Sequence, residues 1–89
     1  MLKFKTTNRF DKDLKKNLKR GKDRAKIYNV MKTIINQTPL DSKYHDHRLK
    51  GEWKDFRECH IEPDWLLIYR VEDDFVSFER NGSHSELFG

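Results

Sequence analysis

The spacing of apolar positions along the chain predicts one short strand, two helices and three further strands. Over residues 2–6, apolar or Thr side chains alternate with lysines, as in an edge strand. Over residues 8–20 and 22–38 the apolar positions recur every three or four residues, which is typical of amphipathic helices. Gly21 is a natural end for the first helix, and Thr38-Pro39 ends the second. A break this short predicts an antiparallel helix hairpin.

The second half of the chain is strand-like after a loop-like stretch over residues 39–52. Strands are predicted over Phe56–Ile61, Trp65–Val71 and Phe75–Arg80, separated by turn residues. Every position from Trp65 to Tyr69 is apolar, so this run is predicted to be the central strand, covered on both faces. Asn81-Gly82 is predicted to be a turn, and the seven residues after it to be too few for another element of any length.

This order of elements predicts an α+β fold in a single domain spanning residues 1–89. The expected architecture is an antiparallel helix hairpin packed on one face of a small, mainly antiparallel four-stranded sheet. The first strand enters before both helices, so it can pair with a later strand at either edge.

Composition places the chain among folded proteins with a small core. Charged residues make up 38% and hydrophobic residues 35%, but eleven aromatic side chains need an interior. Cys59 is the only cysteine, which excludes an internal disulfide and suits a reducing cytosol. In a strand-like run such a cysteine is usually a small apolar filler rather than a nucleophile. Neither a signal-peptide pattern nor a membrane-spanning run is present, so a cytoplasmic location without a membrane partner is expected.

Charge is unevenly distributed along the chain. Residues 1–38 carry a net charge of +9, whereas residues 39–89 carry −5. The basic half favours a polyanionic partner such as an RNA backbone, although any single lysine is explained equally well by a solvated helix face. The acidic half is where more selective chemistry is expected.

All four histidines lie in the second half, at positions 45, 47, 60 and 84. They are compatible with three interpretations: ordinary hydrogen-bonded histidines, a metal site, or general acid and base catalysis. His45 and His47 could chelate a metal together with His60 and either Asp64 or His84, but the spacing matches no strong zinc signature. Imidazoles exchange protons near neutral pH, and RNA cleavage by its own 2′-OH needs both a base and an acid. Trp53, Trp65 and Phe88 are candidate stacking platforms for bases, although the place of Trp65 in an apolar strand favours a core role.

Three motifs resemble those of YafQ-type toxins of the RelE superfamily. Residues 46–53 (DHRLKGEW) are similar to the family pattern D-H-x-L-x-G-x-W, and residues 57–69 (RECHIEPDWLLIY) to its most characteristic block. Residues 80–88 (RNGSHSELF) resemble the C-terminal signature R-x-G-[ST]-H-x-x-L-F. The position before the glycine of that signature is commonly Thr in the family. Here it is Asn81, which is expected to be tolerated in a turn.

The resemblance implies an mRNA endonuclease that acts on the ribosome without a metal or cofactor and leaves a 2′,3′-cyclic or 3′-phosphate and a 5′-OH. By motif, His84 is the principal proton-transfer residue, with His47, His60 and Asp64 as its partners in acid and base work and phosphate orientation. His45 falls just outside the motif and is not assigned to the site. The remaining roles implied are those of an auxiliary carboxylate, a charge stabiliser, a base-positioning residue and further RNA contacts. Glu58 is expected to be the auxiliary carboxylate, Arg80 the charge stabiliser and Phe88 the base-positioning residue. The further RNA contacts are expected from Trp53, Trp65, Lys50 and Arg57.

The resemblance also implies partners: a cognate antitoxin protein, mRNA with the ribosome and its rRNA, and operator DNA only through the antitoxin complex. Two alternatives share the fold, namely an inactive RelE/ParE-like binding module and a ParE-type gyrase poison. Neither needs the set of His47, His60 and His84, which therefore distinguishes them from the nuclease.

Overall fold

The computed structural model describes residues 1–89 and has the predicted helices and strands in the predicted order. No helix is both long and apolar enough to cross a membrane. The elements are β1 (Lys3–Thr6), α1 (Asn8–Lys19), α2 (Arg24–Ile35), β2 (His47–Arg48), β3 (Arg57–Glu62), β4 (Trp65–Val71), β5 (Phe75–Gly82) and α3 (His84–Phe88), with short 3₁₀ turns at Ser42–Tyr44 and Gly51–Trp53.

The sheet has five strands in the order β1-β5-β4-β3-β2. The first strand lies at one edge and pairs in parallel with β5, while the other neighbours are antiparallel. The α+β fold and the mainly antiparallel sheet are therefore as predicted, but the predicted number of four strands is wrong. The additional strand, β2, is only two residues long, which is too short to show an alternating pattern in a sequence.

The region after residue 80 also differs from the prediction. Asn81 and Gly82 do not form a turn but complete β5, and the residues after them form the short helix α3. This helix is held by a capping box, in which the Ser83 hydroxyl accepts the Glu86 N–H and the Glu86 carboxylate accepts the Ser83 N–H. These two reciprocal hydrogen bonds stabilise the start of α3, so that a helix of little more than one turn can form.

Local signals explain where the two long helices begin and end. The Thr7 hydroxyl accepts the Phe10 N–H at 3.0 Å and caps α1, and the Asp23 carboxylate caps α2 through the Ala25 N–H. Between them, Gly21 has a φ of +93°, a left-handed conformation that a side chain would disfavour. The two helices therefore form the expected hairpin, which packs on one face of the sheet.

The central strand β4 is buried on both faces of the sheet, as predicted. Trp65, Leu67 and Tyr69 belong to the main core beneath the helices, whereas Leu66 and Ile68 belong to a second cluster on the other face. Each such buried side chain contributes about 1.5–3 kcal/mol relative to an exposed one. The second cluster is covered by α3 and by the segment between β2 and β3, through Leu87 and through Leu49, Trp53 and Phe56.

The amide of Asn81 connects three elements inside the protein. Its Oδ1 accepts the Asn17 side-chain N–H at 2.8 Å and the Trp65 indole N–H at 3.3 Å. Its Nδ2 donates to the Phe10 carbonyl at 3.3 Å, and only 1% of the residue is exposed. Asn81 thus joins α1, β4 and β5 and is a buried structural residue, which corrects its expected place in a turn.

We expect Asn81→Ala to lower the free energy of unfolding by about 2–4 kcal/mol, because it leaves the buried Asn17 amide and Trp65 indole without their acceptor. Urea unfolding followed by tryptophan fluorescence would measure the loss. The control is Asn29→Ala on the exposed face of α2, which should stay within about 0.5 kcal/mol of the parent protein. An unchanged midpoint for Asn81→Ala would contradict the structural role.

Candidate active site

A pocket of about 460 Å³ lies on the face of the sheet opposite the long helices. Two of its side chains, Glu58 and His60, are two residues apart on β3 and therefore share a face of the sheet. His47 of β2 is directly opposite Glu58 in the strand register. The complete lining is His47, Leu49, Glu58, His60, His84 and Phe88. Three imidazoles from separate parts of the sequence thus meet in one pocket.

The Glu58 carboxylate lies between two of these imidazoles. Its Oε1 is 3.5 Å from His47 Nε2 and 3.4 Å from His60 Nε2, and the side chain is only 5% exposed. A buried carboxylate is stable only with charged or hydrogen-bonding partners. Its position therefore favours an N–H on the Nε2 atom of both rings.

His47 is held by a second acceptor on its other side. Its Nδ1 lies 2.7 Å from the His45 carbonyl oxygen, which can only accept, so Nδ1 carries a hydrogen in this contact. Both ring nitrogens of His47 therefore lie near acceptor oxygens, one of the His45 backbone and one of Glu58.

His45 is closer to the pocket than the sequence analysis expected. Its backbone is left-handed, with a φ of 50° and a ψ of 44°, and its ring packs edge-on against His60 with 5.6 Å between centroids. Because its carbonyl also holds His47, His45 contacts two of the three pocket histidines. The motif did not indicate these contacts of His45 beside the pocket. The sequence signal that could have found them is its i, i+2 spacing from His47.

His84 occupies the first turn of α3, and its position is set through its backbone. The His84 N–H donates to Asp64 Oδ1 at 3.0 Å, so Asp64 anchors the helix that carries the imidazole. The ring makes no hydrogen bond and lies 5.5 Å from the Phe88 ring, one helical turn away. Phe88 in turn meets Trp53 edge-on at 5.7 Å and is 38% exposed. Trp53 and Phe88 therefore form an aromatic wall beside the pocket.

Glu86 ties α3 to α1. Its Oε2 is 2.8 Å from Arg20 Nη1 and 3.1 Å from Lys16 Nζ. Hydrogen bonding from Ser83, reinforced by Lys16 and Arg20, lowers the pKa of Glu86 to about 2. The ionised carboxylate therefore helps to hold His84 in place.

Two residues expected to contact RNA do not line the pocket. Trp65 is 1% exposed and lies in the core, where its indole N–H is bound to Asn81, so it offers no ring face to a base. Arg57 pairs in register with Tyr69 on the face beneath the helices, and its guanidinium binds Asp46 at 3.1 Å. Since neighbouring strand residues point to opposite faces, Arg57 faces away from Glu58 and His60. The expectation for Trp65 is thereby corrected, whereas an RNA contact by Arg57 stays a prediction and would lie outside this pocket.

Two further residues, Arg80 and Lys50, lie outside the lining of the pocket. Arg80 makes a bidentate pair with Asp13 at 2.7 and 3.2 Å, which leaves its Nη1 for another contact. Lys50 is exposed just before the Gly51–Trp53 turn. Their roles as charge stabiliser and RNA contact stay predictions.

Cys59 belongs to the main core and is fully buried. Burial raises the pKa of its thiol well above the ordinary value, so the reactive thiolate is disfavoured. No three His, Cys, Asp or Glu side chains are arranged so that they could hold a metal ion together. The ionisable side chains that line the pocket are three imidazoles and one carboxylate.

Comparison with known proteins identifies the family. A family model described as a bacterial toxin of a type II toxin-antitoxin system, YafQ, matches residues 2–89. The chain belongs to the YafQ family of toxins. The mRNA interferase toxin YafQ of Escherichia coli K12 is 46% identical to this YafQ-family chain over 84 residues, covering 93% of the chain and 91% of the relative.

Solved structures agree with this assignment over the whole chain. A copper-bound mutant toxin from Helicobacter pylori has a TM-score of 0.95 at 49% identity and covers 99% of the YafQ-family chain and 100% of its own. YafQ in the E. coli DinJ–YafQ complex has a TM-score of 0.93 at 42% identity, with 100% of both chains covered. The family resemblance and the α+β fold predicted from the sequence are confirmed.

The low pKa of Glu86 makes stability depend on pH in a defined direction. The folded pKa of about 2 lies below the ordinary 4.5, so the stabilisation is present above pH 4.5 and is lost as the pH falls towards 2. Glu86→Gln keeps the cap acceptor but removes the charge, and should cost about 1–2 kcal/mol at pH 6 after allowance for solvent screening. Urea unfolding of both proteins from pH 6 to 3 should show this difference shrinking. A difference that does not change with pH would contradict the assignment.

Proposed function

We propose that this toxin is a metal-independent endoribonuclease that cleaves mRNA on the ribosome and thereby inhibits translation. The observation that carries the proposal is the meeting of His47, His60 and His84 around Glu58 in one pocket. The relatives from E. coli that are named mRNA interferase toxins support the substrate class.

The proposed reaction uses the RNA itself as the nucleophile. The 2′-oxygen attacks the adjacent phosphorus and the bond to the 5′-oxygen of the next nucleotide breaks, leaving a 2′,3′-cyclic phosphate and a 5′-OH. A base must accept the 2′-OH proton, an acid must protonate the leaving oxygen, and cations must stabilise the phosphorane. Two imidazoles can perform both proton transfers near neutral pH without a metal.

The contacts of each histidine support a division of these tasks. We assign the base to His60, because Glu58 at its Nε2 favours the tautomer whose Nδ1 lone pair is available. We assign the acid to His84, whose ring makes no competing hydrogen bond. His47, flanked by two acceptors, supplies positive charge for the phosphorane. Asp64 acts as a positioning residue, since it holds the His84 backbone.

The remaining expected residues are assigned to substrate binding. Phe88 and Trp53 present aromatic surface beside the pocket, where they can stack on a base next to the scissile phosphate. Lys50 and the unpaired Nη1 of Arg80 are proposed to contact phosphates. The basic half of the chain, residues 1–38, is proposed to bind rRNA or the antitoxin.

The antitoxin is the partner with the most direct support. YafQ from E. coli has been solved in complex with DinJ, its antitoxin in that complex. We propose that the present toxin likewise binds a cognate antitoxin, that it reaches operator DNA only through that complex, and that it acts in the cytoplasm.

We expect His84→Ala to lower the rate of mRNA cleavage by about 10²–10⁴-fold, the usual contribution of a positioned acid or base. Primer extension would map the cut sites on a translated and an untranslated copy of one message, and growth arrest would be followed in parallel. Ser85→Ala, at the neighbouring exposed position, is the matched control and should retain activity. Circular dichroism and antitoxin binding should be unchanged in both variants. An equally toxic His84→Ala protein would favour a gyrase poison or a pure binding module instead.

We expect cleavage to persist after the toxin has been stripped with EDTA and dialysed, because imidazoles rather than a bound cation transfer the protons. The measurement is the cleavage rate of one ribosome-bound message by stripped and by untreated toxin, both in the same chelator-free buffer with the Mg²⁺ that keeps ribosomes intact. Loss of activity that zinc or copper restores to the dialysed toxin would disprove the metal-independent mechanism.

A further inference from the structure

A second, larger groove adjoins the candidate catalytic pocket and shares His47 and His60 with it. Its volume is about 920 Å³, within the range of about 300–1,000 Å³ typical of small-molecule sites. It lies between α2, the Ser42–Tyr44 turn and the end of β3. The complete lining is Lys26, Asn29, Lys43, Tyr44, His45, His47, His60, Ile61, Glu62 and Pro63.

We propose that this groove binds the nucleotide next to the scissile phosphate, so that the RNA strand continues from the catalytic pocket past His47 and His60. The inference rests on the proposed function, since it takes the ligand of the neighbouring pocket to be RNA. It adds to that function a second subsite and a role for residues that the motifs did not include.

The wall formed by residues 43–45 has the chemistry of a base-binding surface. The Tyr44 ring is half-buried against the main core, which makes it a fixed aromatic surface. Lys43 Nζ lies 5.2 Å from the centroid of that ring and is otherwise solvent-exposed. A flat ring with a cation beside it matches a base and its phosphate, the combination by which proteins bind single-stranded RNA.

The carboxylate in the opposite wall is neutralised by lysines. Glu62 accepts from Lys22 Nζ at 2.6 Å and from Lys26 Nζ at 2.8 Å, so one negative charge is shared by two lysines. Hydrogen bonds from these lysines lower the pKa of Glu62, which is therefore ionised at neutral pH. Both Glu62 oxygens are thus paired with lysines, one of which, Lys22, lies outside the lining, and Lys43 on the other wall leaves the groove with an excess of positive charge that favours a phosphate over a metal cation.

His45 links the groove to the catalytic histidines. Left-handed backbone is uncommon outside glycine, although histidine adopts it more often than most residues do. At His45 the conformation lets the carbonyl bind His47 while the ring packs on His60. A nucleotide that stacks on the exposed His45 ring would thus order both imidazoles. His45 is a positioning residue in this scheme.

The test uses short RNAs with a 2′-deoxy sugar at the cleavage position, which bind but cannot be cut. Fluorescence anisotropy would compare a minimal oligonucleotide with versions extended by one nucleotide on the 5′ or the 3′ side. For the parent toxin one of the two extensions should tighten binding by about 5–100-fold, as expected for one stacked base with its phosphate.

Two variants should remove most of this gain. Lys43→Ala should also reduce the slope of log affinity against log salt by about 1, the value for one lost phosphate contact. His45→Asn keeps the carbonyl and tolerates the left-handed backbone, so it removes the ring while preserving the loop. Lys54→Ala, an exposed lysine in neither the groove nor the catalytic pocket and outside the basic half of the chain, is the matched control and should keep the full gain.

The proposal is overturned if neither extension tightens binding of the parent toxin, or if the gain survives in both variants. It is also overturned if the variants lose antitoxin affinity but keep the gain, because the groove would then be an antitoxin site. Failure of the proposed nuclease function has a different signature. In that case the parent toxin would bind the extended RNAs through the groove yet leave translated mRNA uncut.

Discussion

Burial of β4 on both faces is the constraint on which the rest of the structure depends. Five consecutive apolar side chains, Trp65 to Tyr69, alternate between the two faces and are all buried. In a chain of 89 residues the two long helices can cover only one of these faces. The other face must be covered by α3 and by the segment between β2 and β3. The same cover carries His84, Phe88 and Trp53 to the edge of β3, so hydrophobic packing assembles the candidate active site.

A few polar groups then fix the positions of the histidines, which hydrophobic packing alone does not determine. Asp46 accepts hydrogen bonds from Tyr69 at 2.5 Å and from Arg57 at 3.1 Å, which fastens the loop between His45 and His47 to the sheet. Burial and this carboxylate raise the pKa of Tyr69, so its hydroxyl stays a donor. Glu58 plays the corresponding part on the opposite face, where it faces two imidazoles. Polar contacts on both faces of β3, at Arg57 on one face and at Glu58 on the other, thus position the histidines.

Periodicity and motif together predicted most of the fold and most of the pocket, and the failures have physical causes. The helices and the central strand are long enough to show a repeat, whereas β2 and α3 depend on register and on a capping box. Linear motifs do not specify the face of a strand, which is why Arg57 was grouped with Glu58 although neighbours on a strand point apart. His45 was missed because its contribution comes from its carbonyl and its backbone conformation as much as from its ring.

The pairing of β1 with β5 has a consequence for the synthesis of the protein. Lys3 lies opposite Phe75 in that ladder, and the pocket is closed only by residues 84–88. Contacts between residues so distant in sequence form late in folding, because a long loop must close before they can stabilise the chain. A partly translated chain that ends before residue 84 therefore lacks His84 and Phe88, and its pocket is incomplete.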